Sequence, residues 1–454
     1  MPPAARPPRL AVVLTLLAAG LLVGTVPPAP ARAAEAAAPA PSGNRPERVR
    51  WFMDQGLGLF IHWNIDSQLG SVISHSMAGA SKDYLERYIR ELPKTFEPRR
   101  FAPRDWARLA RVAGFRYVVF TTKHHSGFCM WPTETTDFNI TCTPFKRDVV
   151  REVVDAFRAE GLAVGFYFSP DDFWMLHRQG REVARRRPYC MPTNNPPLMA
   201  HNKAQVRELF TRYGPVDVLF LDGEPDGLKQ LAWSLQPNVV VTRGEIETPE
   251  QKTPDAPMPG PWEACYTLGT QWQFKPTNEE YKSGTDLIEM LIEIRAKGGN
   301  FLLNVGPTPD GEIPPEQSRR IRELALWMFV NREAVVGIRP WHVIREGDIW
   351  FTRARDADTA YALLTKIPDW PKGKRKAFTL TTVRATDRTE VSVLGQSGRV
   401  VEYHPEADPS ARWEQKADGL HLSVVRAQRL YNNTRWPNPI VVRITHARAA
   451  GGGE

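Results

Sequence analysis

The chain has little cysteine, only four residues in 454, at positions 129, 142, 190 and 265. None stands in a C-x-x-C, which speaks against a structural zinc site or a redox motif. G-x-G-x-x-G and G-x-x-x-x-G-K-[ST] are also missing, so the usual cradles for dinucleotides and phosphates are absent. No G-x-S-x-G elbow presents a nucleophilic serine, and no H-E-x-x-H pairs two zinc-binding histidines. Charge of one sign is scarce as well. Lys and Arg number 59 against 51 Asp and Glu, and the net +8 forms no dense stripe of the kind a nucleic acid needs. Hydrophobic residues at 42% and charged residues at 24% are globular values, which excludes wholesale disorder and a multi-span membrane protein.

The one conspicuous apolar run is N-terminal. Arg6 and Arg9 precede residues 10–26, and Ala31-Arg32-Ala33 follows a Pro-rich stretch. That order of charge, apolar run and small-x-small site predicts a signal peptide over 1–33, cleaved near Ala33. Gly20, Gly24 and Thr25 weaken the run as a membrane anchor. The Ala/Pro-rich residues 34–46 are expected to be a disordered spacer, and the mature protein to be secreted or periplasmic, without a membrane attachment. Export permits disulfides, and Cys129–Cys142 is the candidate local clip.

From residue 51 to about 337, short β-rich runs alternate with amphipathic stretches. The runs are 57–62, 117–122, 163–169, 216–222, 239–242 and 301–305. Several are apolar at consecutive positions, as strands buried on both faces are. Helical patterns at 103–113, 147–160, 202–213, 227–235 and 285–297 separate them, which indicates βαβ units and a parallel sheet. At this length an irregular (β/α)₈ TIM-like barrel over 47–340 fits best. Close-spaced strand-like runs then follow at 359–364, 377–382, 390–393, 399–403, 420–425 and 439–445. They predict a C-terminal antiparallel β-sandwich over 341–448, with 449–454 as a tail.

Polar and aromatic residues gather where the barrel strands end, the end that carries the site in such folds. The first strand ends in His62-Trp63, the second in Lys123-His124-His125, and the third carries Tyr167 before Asp171-Asp172. Asp222-Gly223-Glu224 and Arg243-Gly244-Glu245 end the next two, and Trp262-Glu263 and Trp272 follow on a segment without a clear pattern. Singly, each reads as well as a hydrogen-bonded structural residue. Together they suggest a site, and the 14 Trp, 11 Tyr and 20 Phe supply flat walls for a sugar. A zinc site could be drawn from His62, His124, His125 and Asp222, but no ligand spacing supports it, so no metal or other cofactor is assigned.

Carboxylates with rings and imidazoles are the set that cleaves glycosidic bonds. Asp222 directly follows a rigid buried strand, and Gly223 permits a tight turn beside a ligand, so Asp222 is the expected nucleophile. The acid/base comes from Glu245, Glu247, Glu250 or Glu263. Glu263 is preferred because Trp262 is an apolar neighbour, and an apolar neighbour raises a carboxyl pKa. A solvent-facing glutamate is the alternative for all four.

The stretches Gly58-Leu59-Phe60-Ile61-His62-Trp63, Lys123-His124-His125-Ser126-Gly127-Phe128, Thr136-Asp137-Phe138-Asn139, Gly165-Phe166-Tyr167-Phe168-Ser169, Leu221-Asp222-Gly223, Pro261-Trp262-Glu263 and Leu302-Leu303-Asn304-Val305-Gly306-Pro307 carry a specific resemblance. Over residues 51–341 the sequence resembles glycoside hydrolase family 29, the retaining α-L-fucosidases. The resemblance implies a barrel followed by a sandwich, Asp222 as nucleophile, and fucosylated glycans or glycoconjugates as substrates. It also implies that His62, His124, His125, Tyr167 and Arg243 line the sugar; Trp63 and Trp272 are taken as further sugar contacts. Glu263 matches the subgroup with a Trp-Glu pair. Ser126, Phe220 and Asn64 depart from the family's usual Asp, Trp and Gly. Ser74-His75-Ser76-Met77 stands where a Glu-Trp-Tyr sugar-binding segment is expected. An α-L-galactoside is therefore a second candidate substrate, and a non-catalytic carbohydrate-binding protein on the same scaffold is the rival reading. Oligomeric state, linkage and aglycon have no signature in the sequence.

Overall fold

Seven short parallel strands carry the first part of the fold: β1 (Leu57–Ile61), β2 (Tyr117–Lys123), β3 (Ala163–Phe168), β4 (Val218–Leu221), β5 (Val240–Val241), β6 (Glu263–Thr267) and β7 (Asn300–Val305). The computed structural model describes residues 43–70, 74–366, 370–371, 373–397, 399–400, 405–406, 408–426 and 438–450. The expected signal peptide, most of the expected spacer, residues 401–403 of one expected strand and the end of the tail lie outside these. The strands run in the order β5-β4-β3-β2-β1-β7-β6, every pair parallel. Almost every residue in them is buried, which is why they read as continuous apolar runs.

No eighth regular strand joins β5 to β6 among the described residues. An irregular run takes its place, bridging in parallel to β6 at Glu247↔Trp262 and Glu250↔Cys265. Gln251 N–H donates to Cys265 O at 3.0 Å, and Cys265 N–H to Pro249 O at 3.0 Å. The curled sheet is thus a TIM-like partial barrel, and its irregular sector carries the Glu245–Glu250 cluster.

Helices cover the outer face. Pro103–Val112 has proline at its first turn, where no backbone donor is needed, and Val149–Ala159 is capped by Asp148. Gly284–Ala296 starts with a capping box between Ser283 and Asp286. The helix expected from 202 begins earlier and spans Pro196–Arg212, because its Pro-Pro start sits at the tolerated N-terminal positions behind the Asn195 cap. Lys82–Arg90, Phe173–Arg178 and Pro315–Asn331 are helices without a counterpart in the sequence reading. No described helix is long and apolar enough to cross a membrane.

The second part comprises β8 (Ile338–Glu346), β9 (Ile349–Ala354), β10 (Thr359–Leu364), β11 (Arg375–Leu380), β12 (Val383–Arg384), β13 (Val391–Val393), β14 (Arg412–Lys416), β15 (Gly419–Val425), β16 (Ile440–Thr445) and β17 (Arg448–Ala449). A five-stranded antiparallel sheet, β13-β16-β10-β9-β8, faces a three-stranded one, β11-β15-β14. Ala360, Ala362 and Leu364 share a core with Leu420, Leu422 and Val424 from the opposite sheet. The alternate residues Tyr361, Leu363 and Val441, with Trp350, join the large core cluster of the barrel.

Three expected boundaries move. Asn44 exchanges hydrogen bonds with the backbone of Val241, and the first helix is Pro46–Gln55, so the barrel begins inside the expected spacer. Strand β8 runs straight through 340–341, so no linker divides barrel from sandwich. Ala449 lies in β17, and Ala450 N–H bonds Thr382 O, so the tail starts later than expected. Trp341 packs in the sandwich's own core, whereas Trp350 joins the core of the barrel. The expected Cys129–Cys142 clip is absent, and all four cysteines are free. Cys129 is buried against Gln205, 3.4 Å from its amide nitrogen, whereas Cys142 is exposed.

Candidate active site

Side chains alternate along a strand, so residues two apart share a face. Phe60, Tyr167, Phe220 and Cys265 all point into the barrel, and they belong to one interior cluster with Tyr117, Val119 and Leu302. Above this floor, at the C-terminal ends of the strands, opens a cavity of about 530 Å³. Its walls include His62, His75, His124, Arg185, Arg186, Asp222, Arg243, Glu250, Gln251, Thr270, Gln271 and Trp272. The volume lies in the range of ligand pockets.

Asp222 follows β4 and is fixed from two sides. The Tyr167 hydroxyl donates to its Oδ2 at 2.7 Å, and Arg243 Nη1 donates to its Oδ1 at 3.0 Å. Gly223, at φ 152°, lets the chain turn away behind it. Burial alone would raise the Asp222 pKa. Protonated His125, Arg243 and the Tyr167 hydrogen bond outweigh burial and hold it well below the usual carboxylate range. His125 Nε2 lies 3.6 Å from Oδ2, but burial lowers that imidazole to about 3, so near neutral pH the guanidinium and the phenol do the holding. Burial, and then the Asp222 charge, push Tyr167 well above the ordinary tyrosine value, so it stays a donor.

The same guanidinium grips a second carboxylate. Arg243 Nη2 donates to Glu250 Oε2 at 2.8 Å, so Asp222 and Glu250 occupy neighbouring nitrogens of one fork. Glu250 is half-exposed at the cavity wall, and its place follows from the bridge to Cys265 in the irregular sector.

The imidazoles are neutral acceptors and donors. His62 Nδ1 pairs with Asn304 Oδ1 at 2.6 Å, which leaves Nε2 as the acceptor, and burial lowers its pKa to about 4. His124 Nδ1 lies 3.1 Å from Ser74 Oγ, and its ring stacks on Tyr167 at 5.2 Å. His125 Nδ1 lies 2.5 Å from Ser169 Oγ. Burial pulls His124 well below the usual histidine value too. His124, His125 and Asp222 each offer a ligand atom, all within 4.8 Å of one another. A divalent ion there would face the Arg243 guanidinium across the same carboxylate, an unfavourable like-charge contact.

Two expected site residues lie elsewhere. Trp63 is buried among Phe96, Phe101 and Trp106, with its indole nitrogen bonded to Thr308 O, so it is a core residue and not part of the cavity wall. Glu263 opens β6 and pairs in register with Asn300, the first residue of β7, at the N-terminal end of the barrel. It is fully buried, bonded to the Tyr117 hydroxyl, and absent from the cavity wall. Burial does raise its pKa, to about 7, as the sequence reading anticipated. Electrostatics suits an acid catalyst there, but location does not. The Tyr117 ring needs Gly58 beside it, because a Cβ there would come within 2.2 Å of the ring. Lys123 also turns away from the cavity, into a buried ion pair with Asp172 at 3.1 Å.

The sequence reading passed over Phe60, Phe220 and Cys265 as wall residues. A signal existed for the first two, since Phe60 lies two before His62 and Phe220 two before Asp222. His75 opens the short 3-10 turn His75–Met77, in the segment where the resemblance expects a sugar-binding loop, whereas Arg185 and Arg186 come from a loop that no local pattern announces.

The family model for alpha-L-fucosidase matches residues 29–333. Rat tissue alpha-L-fucosidase is 28% identical over 405 residues, covering 79% of this chain and 84% of the relative. The alpha-L-fucosidase of Dictyostelium discoideum is 26% identical over 395 residues, covering 77% and 83%. The structure of alpha-L-fucosidase isoenzyme 1 from Paenibacillus thiaminolyticus superposes with a TM-score of 0.70 at 27% identity, over 88% of this chain and 98% of that one. Thermotoga maritima alpha-fucosidase, solved with a mechanism-based inhibitor, gives 0.67 at 26% identity, over 87% and 96%. The chain belongs to the alpha-L-fucosidase family.

Proposed function

We propose that this chain is an exo-acting retaining glycosidase that releases terminal α-L-fucose from glycans or glycoconjugates. The observation that carries the reading is the shared clamp: Asp222 and Glu250 held by neighbouring nitrogens of Arg243, at the C-terminal end of a parallel barrel. Asp222 attacks the anomeric carbon and forms a glycosyl ester as the bond to the leaving oxygen breaks. Glu250 gives its proton to that oxygen. Water then enters, Glu250 takes a proton from it, and the hydroxide displaces Asp222 with a second inversion. Glu250 replaces Glu263 in this role because it lies on the cavity wall.

The neutral imidazoles of His62 and His124 face the sugar hydroxyls, and Arg243 stays charged to stabilise the departing and returning Asp222 carboxylate. Phe60, Phe220 and Trp272 offer an apolar surface to the C5 methyl of a 6-deoxy sugar; Phe60 lies 5.0 Å from Phe220 and 5.9 Å from Trp272 between ring centres. An α-L-galactoside would press a hydroxymethyl group against those rings, so fucose is favoured. The reaction asks for no cofactor. Residues 1–33 are proposed to direct export and to be cleaved near Ala33, which N-terminal sequencing of the mature protein checks.

NMR of the product released from an aryl α-L-fucoside tests the function. The α-anomer of L-fucose should appear first. Initial release of the β-anomer, or turnover confined to a different glycoside in a panel, overturns the reading.

A further inference from the structure

The mouth of the cavity carries a cation that no described residue neutralises. Three arginines line the wall. Arg243 is spent on Asp222 and Glu250, and Arg185 Nε bonds Asp171 Oδ2 at 3.0 Å. Arg186 makes no ion pair and no side-chain hydrogen bond among the described residues. Its backbone sits at φ 61°, the left-handed region that asparagine or glycine adopts more cheaply, yet the chain carries arginine there. Arg186 is exposed, whereas Phe60, Phe220 and Tyr167 are buried at the floor. With the released sugar on the floor, the neighbouring residue of the substrate must occupy the mouth.

We propose that Arg186 forms an anion-binding subsite at this mouth, and that the preferred substrates carry a sulfate ester or a carboxylate on the sugar next to the terminal fucose. The proposal rests on the fucosidase reading and extends it to the substrate class. The fixed charge of a guanidinium suits either oxyanion and can engage it through two parallel N–H bonds. Arg185, tethered by Asp171, sets the position of the rim beside it, and His75 packs against His125 on the same side with ring centres 5.4 Å apart.

The test compares kcat/KM for three α-L-fucosyl disaccharides that differ only in the second sugar: galactose, galactose sulfate and galacturonic acid. Wild type should favour the anionic pair over the neutral one roughly five- to tenfold at low salt, and the ratio should fall toward one as ionic strength rises. In Arg186→Gln that ratio should fall to near one at low salt as well. A higher rate on the sulfate arm identifies a sulfate ester as the ligand; a higher rate on the uronate arm identifies a carboxylate. A ratio near one in wild type, or an unchanged ratio in Arg186→Gln, overturns the subsite. Hydrolysis of the neutral disaccharide reports separately on the fucosidase reading.

Discussion

Asp222 illustrates what a single residue can and cannot carry. Its strand fixes its position, but its charge state depends on Tyr167 from β3 and Arg243 from beyond β5. Asp222→Gly should be nearly inactive, with turnover partly restored by azide entering the vacated space. Wild-type-like activity in a deamidation-free Asp222→Asn would remove the nucleophile assignment. For Glu250→Ala, loss of general acid catalysis should cost roughly 10²–10⁴-fold on poor leaving groups and much less on activated aryl fucosides. Equal losses on both substrate classes would deny Glu250 the proton-transfer role. His124, His125 and Asp222 converge closely enough to hold a metal, but Arg243 opposes one, so dialysis against a chelator should leave kcat unchanged. Activity lost to the chelator and restored by Zn²⁺ would favour a metallohydrolase.

Among the elements, β6 carries two residues of different fate in one short stretch. Its period of two places Cys265 at the cavity floor and Glu263 one layer below, against Tyr117. The Glu263 pKa lies near 7 in the folded chain and near the ordinary glutamate value when unfolded. The native state therefore binds more protons between those values, and stability falls as pH rises from about 4.5 through 7. A shift of this size corresponds to about 3 kcal/mol at most. Glu263→Gln should flatten the dependence of Tm on pH between 5 and 8 while kcat/KM at pH 5 changes little. An unaltered Tm slope would mean that Glu263 does not titrate there. Trp262-Glu263 was visible in the sequence; which end of the barrel it occupies was not, because register comes from pairing with β7 rather than from local pattern.

For the whole molecule, barrel and sandwich share one core. Trp350, Tyr361, Leu363 and Val441 face the barrel, and the Trp327 indole donates to Pro439 O at 2.8 Å across the seam. Removing the chain after residue 337 should bare this surface and lower solubility or Tm far more than it shifts the pH optimum. As a milder test, Trp350→Ala should cost roughly 3–5 kcal/mol in urea unfolding. A changed pH–rate profile in the truncated protein would show that the sandwich donates a group to the site.

Much was legible before any tertiary structure. Buried parallel strands need apolar residues on both faces, so 57–62, 117–122 and 163–169 announced themselves, and strand-end chemistry marked Asp222, His62, His124, His125, Tyr167 and Arg243. Five-residue β6, with its leading glutamate, lies below what periodicity can reveal. Strand β8 hid because its exposed positions break the apolar pattern. The sequence alone determined the residue types of the site and the strand ends that carry most of them. Tertiary structure put Glu250 on the cavity wall and Glu263 beneath it, sent Trp63 into the core and brought His75, Arg185 and Arg186 to the wall. Those choices depend on sheet register and on loops from distant parts of the chain, and neither is encoded within any one stretch of residues.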